Sequence, residues 1–440
     1  MGDNSGDELA AFFAELGNAM QNSGASTGYI NWNSARDASS KVLKEEGDPA
    51  VDQSTAAEIQ SATELADLWL NEATVFPGAG NKCQVTSRAG WIAGTFKAWQ
   101  TIVEPVASGL AAAMTAMIPD DIDQASLSIP EEVLSQLPPE IAEQMQQLMN
   151  SGGFSEMMKP ILDMARTMSA TMFGTHLGQQ LGVMSTNVLS SSDMGLPLSE
   201  NTQPAFIGEN VKEFCNGLGA ARNDAFIYVA LREIAHQRLF THAPWLLTQI
   251  QTALATYASQ VKVDISKIEE AIGNIDPSDL NNLSDELSIE FALEEPTAEQ
   301  RAAISRIELI VAFIEGWVTT VVLQAVGSRL PHAVALEETF RRRRAAGGPA
   351  ERFFNSLIGL QLQPRRIREA TIMWQQITDK VGIDQRDHLW THPDLLPTAD
   401  DMDDIEGFVQ RSSHDLMADL QKAMESDTPP PSEGGQDTSS

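Results

Sequence analysis

The stretch from Arg222 to Trp245 reads RNDAFIYVALREIAHQRLFTHAPW. Its apolar residues show no strand-like alternation, so it predicts one long helix that Pro244 brings to an end. Arg232, Glu233 and His236 stand inside it. At i, i+1 and i+4, residues 232 and 236 share a face and residue 233 lies beside them. In the H-E-x-x-H motif of zinc hydrolases those positions carry a ligand, a general base and a second ligand. Here Glu233 holds the base position, His236 the second-ligand position, and an arginine the first. A guanidinium keeps its proton above about pH 12 and has no lone pair to give a metal. E-x-x-H alone is a weak signal, and an ordinary helix with a salt bridge and a hydrogen-bonded histidine has the same residues.

A second residue bears on this helix. The most apolar run, Leu309 to Val326 (LIVAFIEGWVTTVVLQAV), carries Glu315 near its middle. A central carboxylate argues against lipid and for a buried core helix. Burying an unpaired carboxylate costs several kcal/mol, so Glu315 needs a cation or hydrogen-bond donors. A metal is one such cation. Arg306 or backbone donors would serve equally well. His242 follows Arg232 by ten residues, the spacing of a third histidine in H-E-x-x-H-x-x-G-x-x-H, but Leu239 stands where that pattern needs its turning glycine. It is a candidate ligand if the chain turns back before Pro244, and a helix-end histidine otherwise. His176, in FGTHLGQQLG, reads as structural, and the methionines of 157–184 read as core filler.

Composition narrows the functional classes. The chain has 440 residues, 42% hydrophobic, and a formal charge of −32. Such a surface repels nucleic acid and anionic lipid, which excludes both as general partners. The segment 341–368 is basic against this background, with Arg341 to Arg344, Arg352, Arg365, Arg366 and Arg368. The four-arginine run spans a helical turn and reads first as a solvated face, then as a partner for the acidic 394–404 loop, then as an anion site. Cys83 and Cys215 are the two cysteines, too few for a disulfide framework. The opening MGDNSGDELAAFF lacks the basic n-region of a secretory signal. Together these predict a cytoplasmic protein.

Helical periodicity and breakers predict a mainly α protein. Residues 1–28 read as an acidic helix and a flexible linker, 29–423 as one large helical domain, and 424–440 as a disordered acidic tail. Helices are expected near 33–46, 54–72, 87–117, 140–150, 154–190, 209–240, 245–260, 297–329, from 331 through the arginines, 350–359 and 364–380. No strand is expected.

LREIAHQRLFTHAPWL, FIEGW around Glu315, FGTHLGQQLGVMSTNVL with DMGLPL, NWNSAR, and the run FFNSLIGLQLQPRRIREATIMWQQIT to DHLWTHPDLLPTADDMDDIEGFV resemble the zincin-like metallopeptidase family. These are candidate bacterial hydrolases also classed as zinc-dependent metalloproteases. The resemblance spans most of residues 29–410. It implies a zincin-like helical domain with an active-site helix around 222–241, a zinc cofactor held by His236 and Glu315, and Glu233 as catalytic base. Arg232 departs from the pattern. Pointing where a metal would lie, it is expected to sit next to Glu315, with Glu233 as a second candidate partner, and to supply the missing positive charge. Two readings follow. One is a hydrolase with an impaired zinc site, His242 or water completing the ligands. The other is a non-catalytic zincin-fold module that binds a protein or peptide partner.

Overall fold

The computed structural model describes residues 28–78, 82–115, 153–199, 203–261, 295–363 and 365–411. Among them are eleven α-helices, here numbered in chain order. They are α1 (Trp32–Glu46), α2 (Gln53–Leu70), α3 (Arg88–Thr115), α4 (Gly153–Ser185), α5 (Gly208–Asn216), α6 (Arg222–His242), α7 (Trp245–Ser259), α8 (Ala298–Val326), α9 (Ala333–Ala345), α10 (Pro349–Ile358) and α11 (Ile367–His388). The expected helix at 140–150, the N-terminal helix and the tail from 424 lie outside the described residues.

The fold is mainly α, as the periodicity predicts, with one small addition. β1 (Gln84–Thr86) pairs in parallel with β2 (Ala205–Ile207). Three residues are too few for a visible period-two pattern, which is why the sequence gives no sign of them. The loop from Leu189 runs back along β2, with Ser191 N–H donating to Ala205 O and Ile207 N–H to Leu189 O.

Two helices position everything else. α6 is buried on nearly all sides from Ala225 to Phe240, packing on α2 and α8. α8 opens with a capping box in which Thr297 and Gln300 satisfy each other's backbone N–H groups. It then crosses between α6, α7 and α11. α8 is long and apolar enough by composition to cross a membrane, yet 78% of its most apolar window is buried against the protein itself. An apolar helix without a polar face is what a central core helix requires.

Small residues set the closest approach. α4 carries Gly174, Gly178 and Gly182 on one stripe against α1, and a Cβ on Gly178 would stand 2.0 Å from Ala35 O. The FGTHLGQQLG segment is therefore a packing ridge. His176 beside it bonds Ser356 O at 2.8 Å, the structural role expected of it.

Candidate functional site

α6 and α8 bring Arg232, His236 and Glu315 together in the core. The Arg232 guanidinium NH2 lies 2.5 Å from Glu315 Oε2. His236 Nε2 lies 3.1 Å from Glu315 Oε1, and its Nδ1 lies 2.8 Å from Arg232 O one turn back. Both ring nitrogens therefore face oxygen atoms, which fixes the plane of the ring. The backbone contact orients the ring so that Nε2 points at Glu315.

A third partner of Glu315 arrives from α9. Arg344 NH2 lies 2.5 Å from Glu315 Oε1. Glu315 is 0% exposed, and burial alone would push its carboxyl pKa up. Arg344, His236 and Arg232 more than offset this and hold it well below the ordinary carboxylate value. Glu315 does not use Arg306, which bonds Gln249 instead. The Arg232 guanidinium also lies over the Phe340 ring, 5.0 Å from its centroid.

The arginine run divides in two. Arg341 and Arg342 stay exposed and share Glu338, which is the solvated face expected of the whole run. Arg343 and Arg344 turn inward, onto Asp193 and Glu315. Neither reaches the 394–404 loop, whose Asp403 pairs with Arg366. Asp193 sits in the polar loop after α4. Burial pushes its carboxyl up, but Arg343 and the Leu189 N–H bring it below the usual range. In the same loop Gly195 has φ +71°, and a Cβ there would lie 2.9 Å from Glu315 Oε1. Glycine serves both needs, a left-handed backbone and no side chain against the carboxylate.

Glu233 faces a different set of partners. It is 1% exposed. Its Oε1 accepts from Ser191 Oγ at 2.6 Å, Gln237 Nε2 at 2.9 Å and Ala205 N at 3.3 Å. Its Oε2 accepts from Ser192 N at 3.1 Å and from the Ser192 hydroxyl. Five neutral donors fill the lone pairs of this carboxylate, and none of them also bonds Glu315.

His242 is not brought to the cluster. Helix α6 continues through it, which leaves it about 120° around the helix from His236. Its Nδ1 bonds Arg238 O at 2.8 Å and its ring stacks on Phe76 at 4.7 Å. The turn that would have made it a ligand does not occur, because nothing before Ala243 breaks the helix.

The comparisons agree with this helix arrangement. A family model described as zincin-like metallopeptidase matches residues 30–409. The chain belongs to this family. It is also similar to a solved structure from Chloroflexus aurantiacus, a candidate hydrolase with a novel fold. The TM-score is 0.52 and the identity 19%, over 87% of this chain and 99% of that one, a likeness of fold alone. No curated protein matches.

The zincin family implies a zinc ion, and the residues present do not fit one. A hydrolytic zinc takes three protein ligands and keeps one position open. Of the family pattern, His236 and Glu315 remain. The first-ligand position holds a permanent cation, and a second guanidinium, Arg344, occupies the other oxygen of Glu315. Among the described residues no three His, Cys, Asp or Glu side chains converge as a metal site. A divalent ion beside two guanidiniums would meet repulsion where it needs lone pairs.

The sequence assigns no site role to Arg344, Asp193, Ser191 or Ser192. Arg344 stands in the arginine run. The others lie in SSSDMGLPL, which reads as a connecting loop until Glu233 is seen bonded to it.

Proposed function

We propose that this chain is a zincin-family protein that has given up zinc hydrolysis, and that it works as a binding module for a protein or peptide partner. In this reading Arg232 takes the place of the metal's charge and Arg344 completes the cluster. The observation that carries it is the contact of Arg232 with Glu315 at 2.5 Å. The family's acidic ligand is thereby used as the counter-ion of an arginine. The sequestration of Glu233 supports the same reading. A general base must reach the water it activates, and all the oxygen lone-pair positions of Glu233 are engaged by Ser191, Ser192, Gln237 and Ala205. A cytoplasmic setting belongs to the proposal, and the free thiols of Cys83 and Cys215 accord with it.

Peptide hydrolysis tests the reading. Wild type and a Glu233→Gln variant are assayed on a mixed peptide library with added zinc and with chelator. The expected result is the same background turnover in every arm. Zinc-dependent cleavage that Glu233→Gln abolishes would overturn the proposal and restore the hydrolase.

A further inference from the structure

We infer that the cleft between α9 and the beginning of α11 is a docking groove for an acidic peptide segment. The cleft has a volume of about 940 Å³. Arg341 and Arg344 line it from α9, Arg365 and Arg368 from the turn into α11, and Arg232 from α6. A spacing of three residues on a helix puts two side chains on one side. Arg341 and Arg344 therefore form a row on the α9 wall, while Arg365, in the turn before α11, and Arg368, in its first turn, line the α11 side.

On the cleft walls five arginines stand against three carboxylates, Glu337, Glu338 and Glu351. Arg232 and Arg344 share the single carboxylate of Glu315. Arg365 bonds the amide oxygen of Gln363 and interacts with the Glu308 carboxylate, and neither Arg365 nor the exposed Arg368 has a carboxylate at ion-pair distance among the described residues. Of the three carboxylates on the walls, Glu338 is shared by Arg341 and Arg342, Glu351 accepts from the Gly348 N–H, and Glu337 makes no ion pair among the described residues. The chain as a whole carries −32. Charges more than about 8 Å apart are largely screened at physiological salt, so the nearby arginines decide what the groove accepts.

The lining selects a peptide among anions. Leu323, Ile367 and Ile372 add apolar surface to the same walls, and Ile372 is 42% exposed. A short chain alternating carboxylates with apolar side chains matches both features. Single-stranded nucleic acid would want free aromatic faces, and the one ring on the walls, Phe340, already lies under Arg232. A lone phosphate would leave most of the volume empty.

The inference names the partner class of the binding role proposed above and rests on it. Its test is a fluorescence-anisotropy titration of full-length protein with labelled hexaglutamate, with hexaglutamine as the neutral probe. Zinc content is measured on the same preparation. Hexaglutamate is expected to bind and to weaken as salt rises. Arg365→Glu with Arg368→Glu should weaken it by about tenfold or more. Both are exposed side chains, so folding is retained. Arg342→Glu, on the same helix but not on the cleft walls, should leave binding unchanged. Equal binding of hexaglutamine, no effect of the double reversal, or full competition by millimolar inorganic phosphate would each overturn the inference. Stoichiometric zinc with capture intact would instead remove the metal-free reading and leave the groove standing.

Discussion

Glu315, on α8, and Asp387, packed against it, are both carboxylates with no exposure to solvent, yet they are held in opposite ways. Asp387 has one cation, Arg386, at 2.8 Å. Neutral donors complete its shell: Trp317 Nε1 at 2.9 Å, Thr74 Oγ1 at 2.6 Å and Val75 N at 2.9 Å. Arg386 is fully buried too, and it spends its remaining donors on Gln324, Thr378 and Ala73 O. That unit is sealed and balanced. It clamps the end of α11 to α8 and to the loop after α2. Glu315, two residues from Trp317 on the same helix, meets two guanidiniums and the His236 ring, and both arginines also line a cleft. A balanced pair enclosed by neutral partners is a structural device. A cation surplus at the edge of a cleft is one that can still act on a ligand.

Breaking the sealed pair should have the largest effect. Asp387→Asn leaves Arg386 charged, buried and unable to reach water, and should cost about 3–5 kcal/mol in urea unfolding. Glu315→Gln should cost less, about 2–3 kcal/mol, because Arg232 and Arg344 can draw water from the cleft. Equal losses in the two variants would erase the distinction between them. Acid sharpens it further. The folded-state pKa of Glu315 is depressed, so its contribution is complete above the ordinary carboxylate range and is lost as pH falls through the lower folded value. In unfolding curves taken from about pH 7 down to about pH 3, the gap between wild type and Glu315→Gln should narrow below roughly pH 4.5. A gap that stays constant would mean Glu315 is not ionised by its neighbours.

Much of this was legible in the sequence. The helices followed from periodicity, and prolines and glycines marked their ends. The pairing of Arg232 with Glu315 could be argued from two facts, that position 232 shares a face with 236 and that a carboxylate inside an apolar helix needs a cation. Arg344 could not be picked out. Four consecutive arginines circle a helix, and only the packing of α9 decides that 343 and 344 face inward while 341 and 342 do not. The role of Ser191 and Ser192 was equally hidden, since a polar loop gives no hint of which distant carboxylate it will meet. His242 went the other way. Its spacing invited ligation, and an unbroken α6 carried it to another face.

The central claim is that guanidinium charge stands where the family's metal would. Zinc stoichiometry measures it most directly, by elemental analysis after equilibration with zinc and gel filtration. Wild type should retain no stoichiometric zinc. Arg232→His combined with Arg344→Ala restores a second histidine and frees Glu315, and should retain about one zinc per chain, as three protein ligands allow. One tightly held zinc in the wild-type protein would contradict the account.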